Sequence, residues 1–216
     1  MTIEAPPARA PRADAERNRR RILDAAASVF AERGVSATLN EVARAAGVGI
    51  ATVYRKFPDK EAVFDALFDA KIDNLVRLAI EASTEEDPGL AFRSFLLGVI
   101  EARATDRGLG AVVMRTDRGE GFATELGRRL APTVERLISR ARAAGEVREG
   151  FTGQDVCILS LMVGAVADNT RNVDPRIWRR YAQILIDGTR PTAMTEPLSP
   201  APLPFSDTAA VLGRAR

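Results

Sequence analysis

The 216-residue sequence contains no histidine and a single cysteine, Cys157. Histidine is the commonest metal ligand and the commonest general base in proteins, so its absence argues against zinc sites and against Ser-His or Cys-His catalysis. One cysteine cannot form a disulfide within the chain. The sequence therefore predicts a protein that is not an enzyme, holds no metal and uses no cofactor.

Long apolar segments are also missing. No run approaches the roughly 18 apolar residues that a membrane-spanning helix needs, and the first 21 residues contain no apolar stretch like that of a signal peptide. With 46% apolar and 28% charged residues, the composition is that of an ordinary globular protein. We therefore expect a cytoplasmic protein without a membrane partner.

Positive charge is concentrated in the first part of the chain. Residues 1–60 contain 11 basic and 7 acidic residues, whereas residues 61–216 contain 20 basic and 22 acidic residues. The first part is thus the one suited to meet a polyanion. It includes a run of four arginines between Arg17 and Arg21, which fits either a solvated helix face or a clamp for phosphates.

Helical spacing of apolar residues dominates and no convincing strand pattern is found, so the predicted fold class is all-α. The predicted helices cover residues 14–33, 39–46, 49–57, 59–83, 88–105, 108–115, 119–144, 153–171 and 174–189. Pro132 lies inside one of them and predicts a kink. The proline-containing ends are expected to be a flexible basic arm, residues 1–14, and a disordered tail, residues 191–216.

A short helix, a glycine turn and a second short helix follow one another in residues 38–57. Thr38 and Glu41 form a T-x-x-E capping box that opens the first helix, and Gly47 closes it. Only about one turn residue separates this end from Gly49, which can cap the next helix. This order is typical of a helix-turn-helix, whose second helix enters the major groove of DNA.

The resemblance to a known family is specific at this point. Residues 22–68, ILDAAASVFAERGVSATLNEVARAAGVGIATVYRKFPDKEAVFDALF, resemble the DNA-binding domain of the tetracycline-repressor (TetR) family, including the A-G-V turn and the T-V-Y-R-K-F helix. The family implies an all-α homodimer, a DNA-reading N-terminal domain with three helices, and a small-molecule pocket in the C-terminal domain. We accordingly predict a helix-turn-helix domain in residues 15–60 and an effector-binding and dimerisation domain in residues 61–190.

The resemblance and the basic run together assign the DNA-binding residues. They are Arg17, Arg20, Thr38, Asn40, Ile50, Ala51, Thr52, Tyr54, Arg55, Lys56 and Lys60. The sequence departs from the family pattern at Gly49 and Ile50, where many members have a polar pair such as Ser-Lys. At this point we expect bases to be read by apolar contact with thymine methyl groups.

Two further sets of residues belong to the predicted C-terminal domain. An apolar effector pocket is expected to involve Phe95, Val99, Arg103, Met114, Phe122, Met162 and Val166. Arg103 would anchor a polar group only if it points inward, and snorkelling or pairing with terminal carbonyls is the alternative. The segment from Val156 to Ala167 is apolar on all sides, which suits a helix between its own core and a second subunit. The predicted interface consists of Val156, Val163, Trp178, Tyr181 and Ile184.

Two other features have a structural and a functional interpretation. Acidic residues recur at every fourth position from Glu61 to Asp73, and an acidic outer face is preferred to a metal site because no second cluster of ligands exists in the sequence. Cys157 is interpreted as inert packing in preference to a redox sensor.

The leading functional interpretation is a ligand-responsive transcriptional repressor. A homodimer would cover a palindromic operator in double-stranded DNA and be released by a small apolar effector. An activator of the same architecture is an alternative. A binding dimer with a vestigial helix-turn-helix is a second class, which charge reversal at Arg55 and Lys56 would distinguish. An enzyme ranks third, since no nucleophile, base or metal constellation stands out.

Overall fold

The computed structural model describes residues 10–106, 119–194, 196–204, 207–208 and 211. Over these ranges the chain forms eight α-helices and one short 3-10 helix, Gly34–Ser36, with no strand. The helices are α1 Ala10–Arg33, α2 Leu39–Ala46, α3 Ile50–Lys56, α4 Lys60–Ser83, α5 Pro88–Thr105, α6 Gly119–Ala143, α7 Gly153–Thr170 and α8 Trp178–Asp187. The predicted all-α class is confirmed, and the helix predicted at 108–115 lies outside the described residues.

Two helices differ from the prediction at their N-terminal ends. Helix α1 already includes Ala10, within the predicted arm, and Pro11 is compatible with the first turn of a helix. Helix α8 begins at Trp178 because the residues before it form a turn, in which the Ile177 amide donates to the Asp174 carbonyl at 3.2 Å. Helix α6 continues on both sides of Pro132, and the kink there stays a prediction.

The chain divides into two compact units, an N-terminal unit of residues 1–68 and a C-terminal unit of residues 69–216. The division falls within α4, further along than the boundary predicted at residue 60. In the N-terminal unit Phe30 of α1 stacks on Phe64 of α4, with 4.5 Å between ring centroids. This contact explains why the first turns of α4 belong to the N-terminal core.

The C-terminal unit has its core around α5, which packs against α6, α7 and α8. Apolar side chains from all four helices are buried there: Phe92, Phe95, Leu96 and Ile100 from α5, Leu137 and Ile138 from α6, Val163 from α7 and Trp178 from α8. Burial of this many large apolar groups is the main force that holds the unit together.

The segment that follows α8 is irregular over residues 191–194 and 196–204, and residues 207–208 are helical. Arg148 donates a hydrogen bond to the Glu196 carbonyl at 2.5 Å, and Thr208 is buried. The described part of the predicted tail thus makes specific contacts.

Candidate DNA-binding surface and effector region

Helix α3 is held by one side and exposed on the other. Val53 is fully buried, and Phe57, which ends the helix, is 4% exposed. Ala51, Tyr54 and Arg55 are exposed on the opposite side, and Tyr54 is 52% exposed. A short helix that is anchored on one side and accessible on the other can enter the major groove and present side chains to base edges.

The turn between α2 and α3 has a fixed geometry. Gly47 adopts φ 65°, the left-handed conformation that glycine reaches without strain. Arg21 of α1 donates from Nη2 to the Ala46 carbonyl at 2.9 Å, and a Cβ on Gly47 would lie 3.2 Å from that nitrogen. We call this contact the Arg21 clamp. It ties α1 to the last residue of α2, so that the turn leads into α3 in one orientation.

The predicted capping box at the start of α2 is confirmed. The Glu41 amide donates to Thr38 Oγ1 at 3.3 Å, and the Glu41 carboxylate accepts from the Thr38 amide at 2.8 Å. Hydrogen bonds from Thr38 hold the pKa of Glu41 below its ordinary value, with the charges of Arg33 and Arg44 contributing. The Thr38 hydroxyl therefore already makes hydrogen bonds within the cap. A contact with DNA would have to be made by the same hydroxyl group.

The arginines of the basic run on α1 lie in different environments. They therefore form neither a uniformly solvated helix face nor a uniform clamp for phosphates. Arg17 pairs with Asp14 on the same helix. The Arg19 guanidinium lies over the Phe57 ring, 5.8 Å from its centroid. Arg20 is exposed, and the last arginine of the run forms the clamp.

The other predicted DNA-binding residues also lie on the N-terminal unit. Asn40 is exposed on the first turn of α2. Three residues flank the exposed face of α3 in half-buried positions: Ile50, Thr52 and Lys56. Lys60 begins α4, and its Nζ lies 5.5 and 5.7 Å from the ring centroids of Phe30 and Phe64. Such contacts with aromatic faces help to orient the ammonium group.

The predicted effector residues fall into two groups in the C-terminal unit. Phe95 and Val99 on α5 are buried, and Val166 on α7 packs against the same core. Met162 is 49% exposed, away from that core. Met114 and the side chain of Phe122 lie outside the described residues.

Arg103 reaches from α5 to α7 instead of capping its own helix. Its Nη2 lies 3.0 Å from Asp168 Oδ2, and Asp168 also pairs with Arg171 at 2.9 Å. A Cβ on Gly164 would lie 2.7 Å from Arg103 side-chain atoms, so the glycine makes room for this arginine. No local sequence signal could have paired Arg103 with Asp168, because the two residues are 65 positions apart.

Three predicted interface residues require correction. Val156, Val163 and Trp178 are 4%, 0% and 2% exposed and belong to the core of their own chain. The error arose because α7 is apolar on all sides, and the sequence does not indicate which side its own core uses. Tyr181 and Ile184 are 44% and 55% exposed. Met162 of α7 is also exposed, and we call these three apolar residues, on two helices that pack against each other, the outer α7–α8 face.

The Cys157 thiol is held in its neutral form. Burial raises the pKa of this thiol to about 11, and the nearby Asp155 charge acts in the same direction. Since the thiolate is the reactive species, this environment favours packing over redox sensing.

Two features are absent from the described part of the chain. Within it, no helix is both long enough and apolar enough for a membrane span. Side chains that could ligate a metal do not gather there in groups of three or more.

Known families match most of the chain. The family described as bacterial regulatory proteins, tetR family, matches residues 22–67, and the family described as the C-terminal domain of SbtR-like transcriptional regulators matches residues 87–191. An uncharacterized HTH-type transcriptional regulator of Mycobacterium tuberculosis is 33% identical over 155 residues, which cover 69% of this chain and 78% of that protein.

Two other similar proteins point in the same direction. The HTH-type transcriptional regulator AcrR of Shigella flexneri is 35% identical over 102 residues, covering 46% of this chain and 47% of that protein, so the match spans about half of its length. The crystal structure of a TetR transcription regulatory protein from Mycobacterium vanbaalenii superimposes with a TM-score of 0.59 at 31% identity, covering 83% of this chain and 98% of that one. The chain belongs to the TetR family of DNA-binding transcriptional regulators, which are not enzymes.

Proposed function

We propose that the chain is a homodimeric repressor that a small apolar effector releases from a palindromic operator. One observation carries the proposal: α3 is anchored through Val53 and Phe57 while Ala51, Tyr54 and Arg55 face outward. Such a face can enter a major groove, where side chains reach base edges.

A second subunit is part of the proposal because α3 is only seven residues long. One such helix contacts few bases, whereas two of them, placed about 34 to 36 Å apart by a two-fold axis, meet successive major grooves. The outer α7–α8 face, with Met162, Tyr181 and Ile184 exposed, supports this arrangement. Exposed apolar patches of this kind mark protein interfaces.

The effector is proposed to bind in the C-terminal unit, near Phe95, Val99 and Val166. The side chains there are apolar. Arg103 is the cation among the predicted pocket residues, and it is already paired with Asp168 at 3.0 Å. A neutral apolar molecule is therefore a better match than an acid. To act, it must bind the DNA-free conformation more tightly, by about 1 to 3 kcal/mol for ordinary coupling.

Selection from genomic fragments with the purified protein would give a duplex for quantitative binding. Wild-type affinity should fall steeply with salt, because each neutralised phosphate releases counterions. Charge reversal of Arg55 and Lys56 to Glu should abolish binding. Arg136→Glu is the matched control, since Arg136 is exposed on α6 in the C-terminal unit. Retained binding after reversal on α3 would contradict the proposal.

The sign of regulation needs a separate measurement. Transcription from the selected promoter with purified polymerase should decrease when the protein is added and recover when the effector is present. An increase on addition of the protein would identify an activator with the same DNA-binding surface.

A further inference from the structure

The exposed face of α3 has an apolar first half and a polar second half. Gly49 and Ala51 are exposed and Ile50 is half-buried, whereas Tyr54 and Arg55 follow one turn later. We call Gly49, Ile50 and Ala51 the apolar patch. None of its side chains can donate or accept a hydrogen bond.

The fold does not require glycine at the start of this patch. Gly49 has φ −68°, which any residue adopts, and a Cβ added there would meet no atom within 4 Å. A polar side chain could therefore occupy position 49 without strain or clash. Because glycine is there instead, the patch has no side chain that can form a hydrogen bond with a base.

Apolar groups can still identify one base in the major groove. Thymine alone among the four DNA bases carries a methyl group there, and side chains such as alanine discriminate it by van der Waals contact. Ala51 is exposed on the same side of the helix as Tyr54 and Arg55, which lie three and four residues further on, so its methyl group belongs to the face that can meet base edges.

We propose that the apolar patch reads thymine methyl groups, so that each operator half-site carries thymine at the bases facing Ile50 and Ala51. This inference rests on the DNA-binding function proposed above and adds the chemistry of its recognition. The cations next to the patch, Arg55 and Lys56, fit a polyanionic partner and disfavour an apolar protein surface as its occupant.

The test replaces single thymines of the selected duplex by deoxyuridine, which removes only the methyl group. At the bases facing the patch, the dissociation constant should rise about fourfold for each methyl group, the factor expected for one buried methyl. Thymines outside the half-site are the matched control and should tolerate the change. Fluorescence anisotropy at fixed salt gives these ratios directly.

Protein variants locate the contact. In Ile50→Ala and Ala51→Gly the uracil penalty should shrink, whereas Lys60→Ala should weaken binding and keep the penalty. Two variants are used because glycine lowers helix stability, and circular dichroism confirms that each is folded.

The outcomes separate the inference from the function on which it rests. Tight, salt-dependent binding without a uracil penalty would overturn the inference and leave the proposed function intact. A uracil penalty that stays as large in both patch variants as in the wild type would overturn the assignment to these residues. If the protein selects no duplex over random DNA, the proposed function fails and the inference fails with it.

Discussion

The N-terminal and C-terminal units use arginine in different ways. In the N-terminal unit Arg17 and Arg33 pair with Asp14 and Glu41, but Arg20 and Arg55 are exposed and Arg21 donates to a backbone carbonyl. In the C-terminal unit arginines of one helix pair with carboxylates that are distant in the sequence: Arg93 with Glu146 at 3.0 Å, Arg103 with Asp168 at 3.0 Å and Arg179 with Glu101 at 3.1 Å. Exposed pairs of this kind add little stability, so their main effect is on orientation and net charge.

The difference indicates how one chain can have a basic N-terminal unit suited to DNA and a C-terminal unit whose charges nearly cancel. Cations that are neutralised within the fold attract a polyanion weakly, whereas exposed cations remain available to it. The basic charge of residues 1–60, 11 basic against 7 acidic, is therefore placed where it can act. Substitutions at buried, paired and exposed positions of the two units test this contrast.

The largest effect should come from a charge placed inside the C-terminal core. Val163→Asp would bury an unpaired carboxylate at a site that is fully inaccessible to solvent. We expect the free energy of unfolding to fall by about 3 to 5 kcal/mol, because nothing nearby compensates the charge. Denaturant titration followed by circular dichroism measures this loss.

Ile184→Asp is the matched surface variant. Ile184 is 55% exposed within its own chain, so the same substitution should cost the folded subunit little, and any fall in the unfolding midpoint should come from loss of the dimer and depend on protein concentration. If the outer α7–α8 face is the dimer interface, sedimentation velocity should show a monomer that no longer binds the operator. A stable dimer in this variant would remove the face from consideration.

Val163 and Ile184 also show which features could be predicted from the sequence and which could not. The capping box at Thr38, the turn at Gly47 and the bounds of α5 could be predicted because each depends on residues within a few positions. Which side of α7 faces its own core depends on three other helices, so Val163 was assigned to the wrong surface. The Arg103 contact with Asp168 spans 65 positions and leaves no local pattern.

Arg20 and Arg21 are adjacent and should behave differently. Arg21→Met removes the clamp on the Ala46 carbonyl, at a cost of about 1 to 2 kcal/mol for a partly exposed hydrogen bond to a charged group. Operator affinity should fall while its salt dependence stays the same, because no phosphate contact is lost. Arg20→Met should instead keep stability and reduce the salt slope by about one. Equal slopes for both variants would contradict this division.

The cap of α2 gives a smaller effect with a defined pH dependence. Thr38→Ala should cost about 1 kcal/mol, as for other N-cap residues. Glu41 has a lowered pKa in the folded state, so its contribution is present above its ordinary pKa of 4.5 and is lost as pH falls through the folded value. The difference in unfolding midpoint between wild type and Glu41→Gln should therefore shrink towards low pH. A difference that grows on acidification would contradict the cap.

The smallest net effect is expected at Gly164. Alanine favours a helix over glycine by about 1 kcal/mol, but the new Cβ would lie 2.7 Å from the Arg103 side chain. In the wild-type background these effects oppose each other, and Gly164→Ala should be neutral or mildly destabilising. In an Arg103→Ala background the same change should stabilise, which thermal unfolding can detect. Identical effects in both backgrounds would show that the two residues are not coupled.

The protected thiol has a practical consequence for studying this regulator. With a pKa of about 11, only about one Cys157 thiol in a thousand is ionised at about pH 8. A cysteine introduced at an exposed position such as Arg136 would have an ordinary pKa and react far faster with a maleimide dye. A fluorophore can thus be attached at one chosen site while the native cysteine stays in place, and DNA binding can be followed on an otherwise unaltered chain.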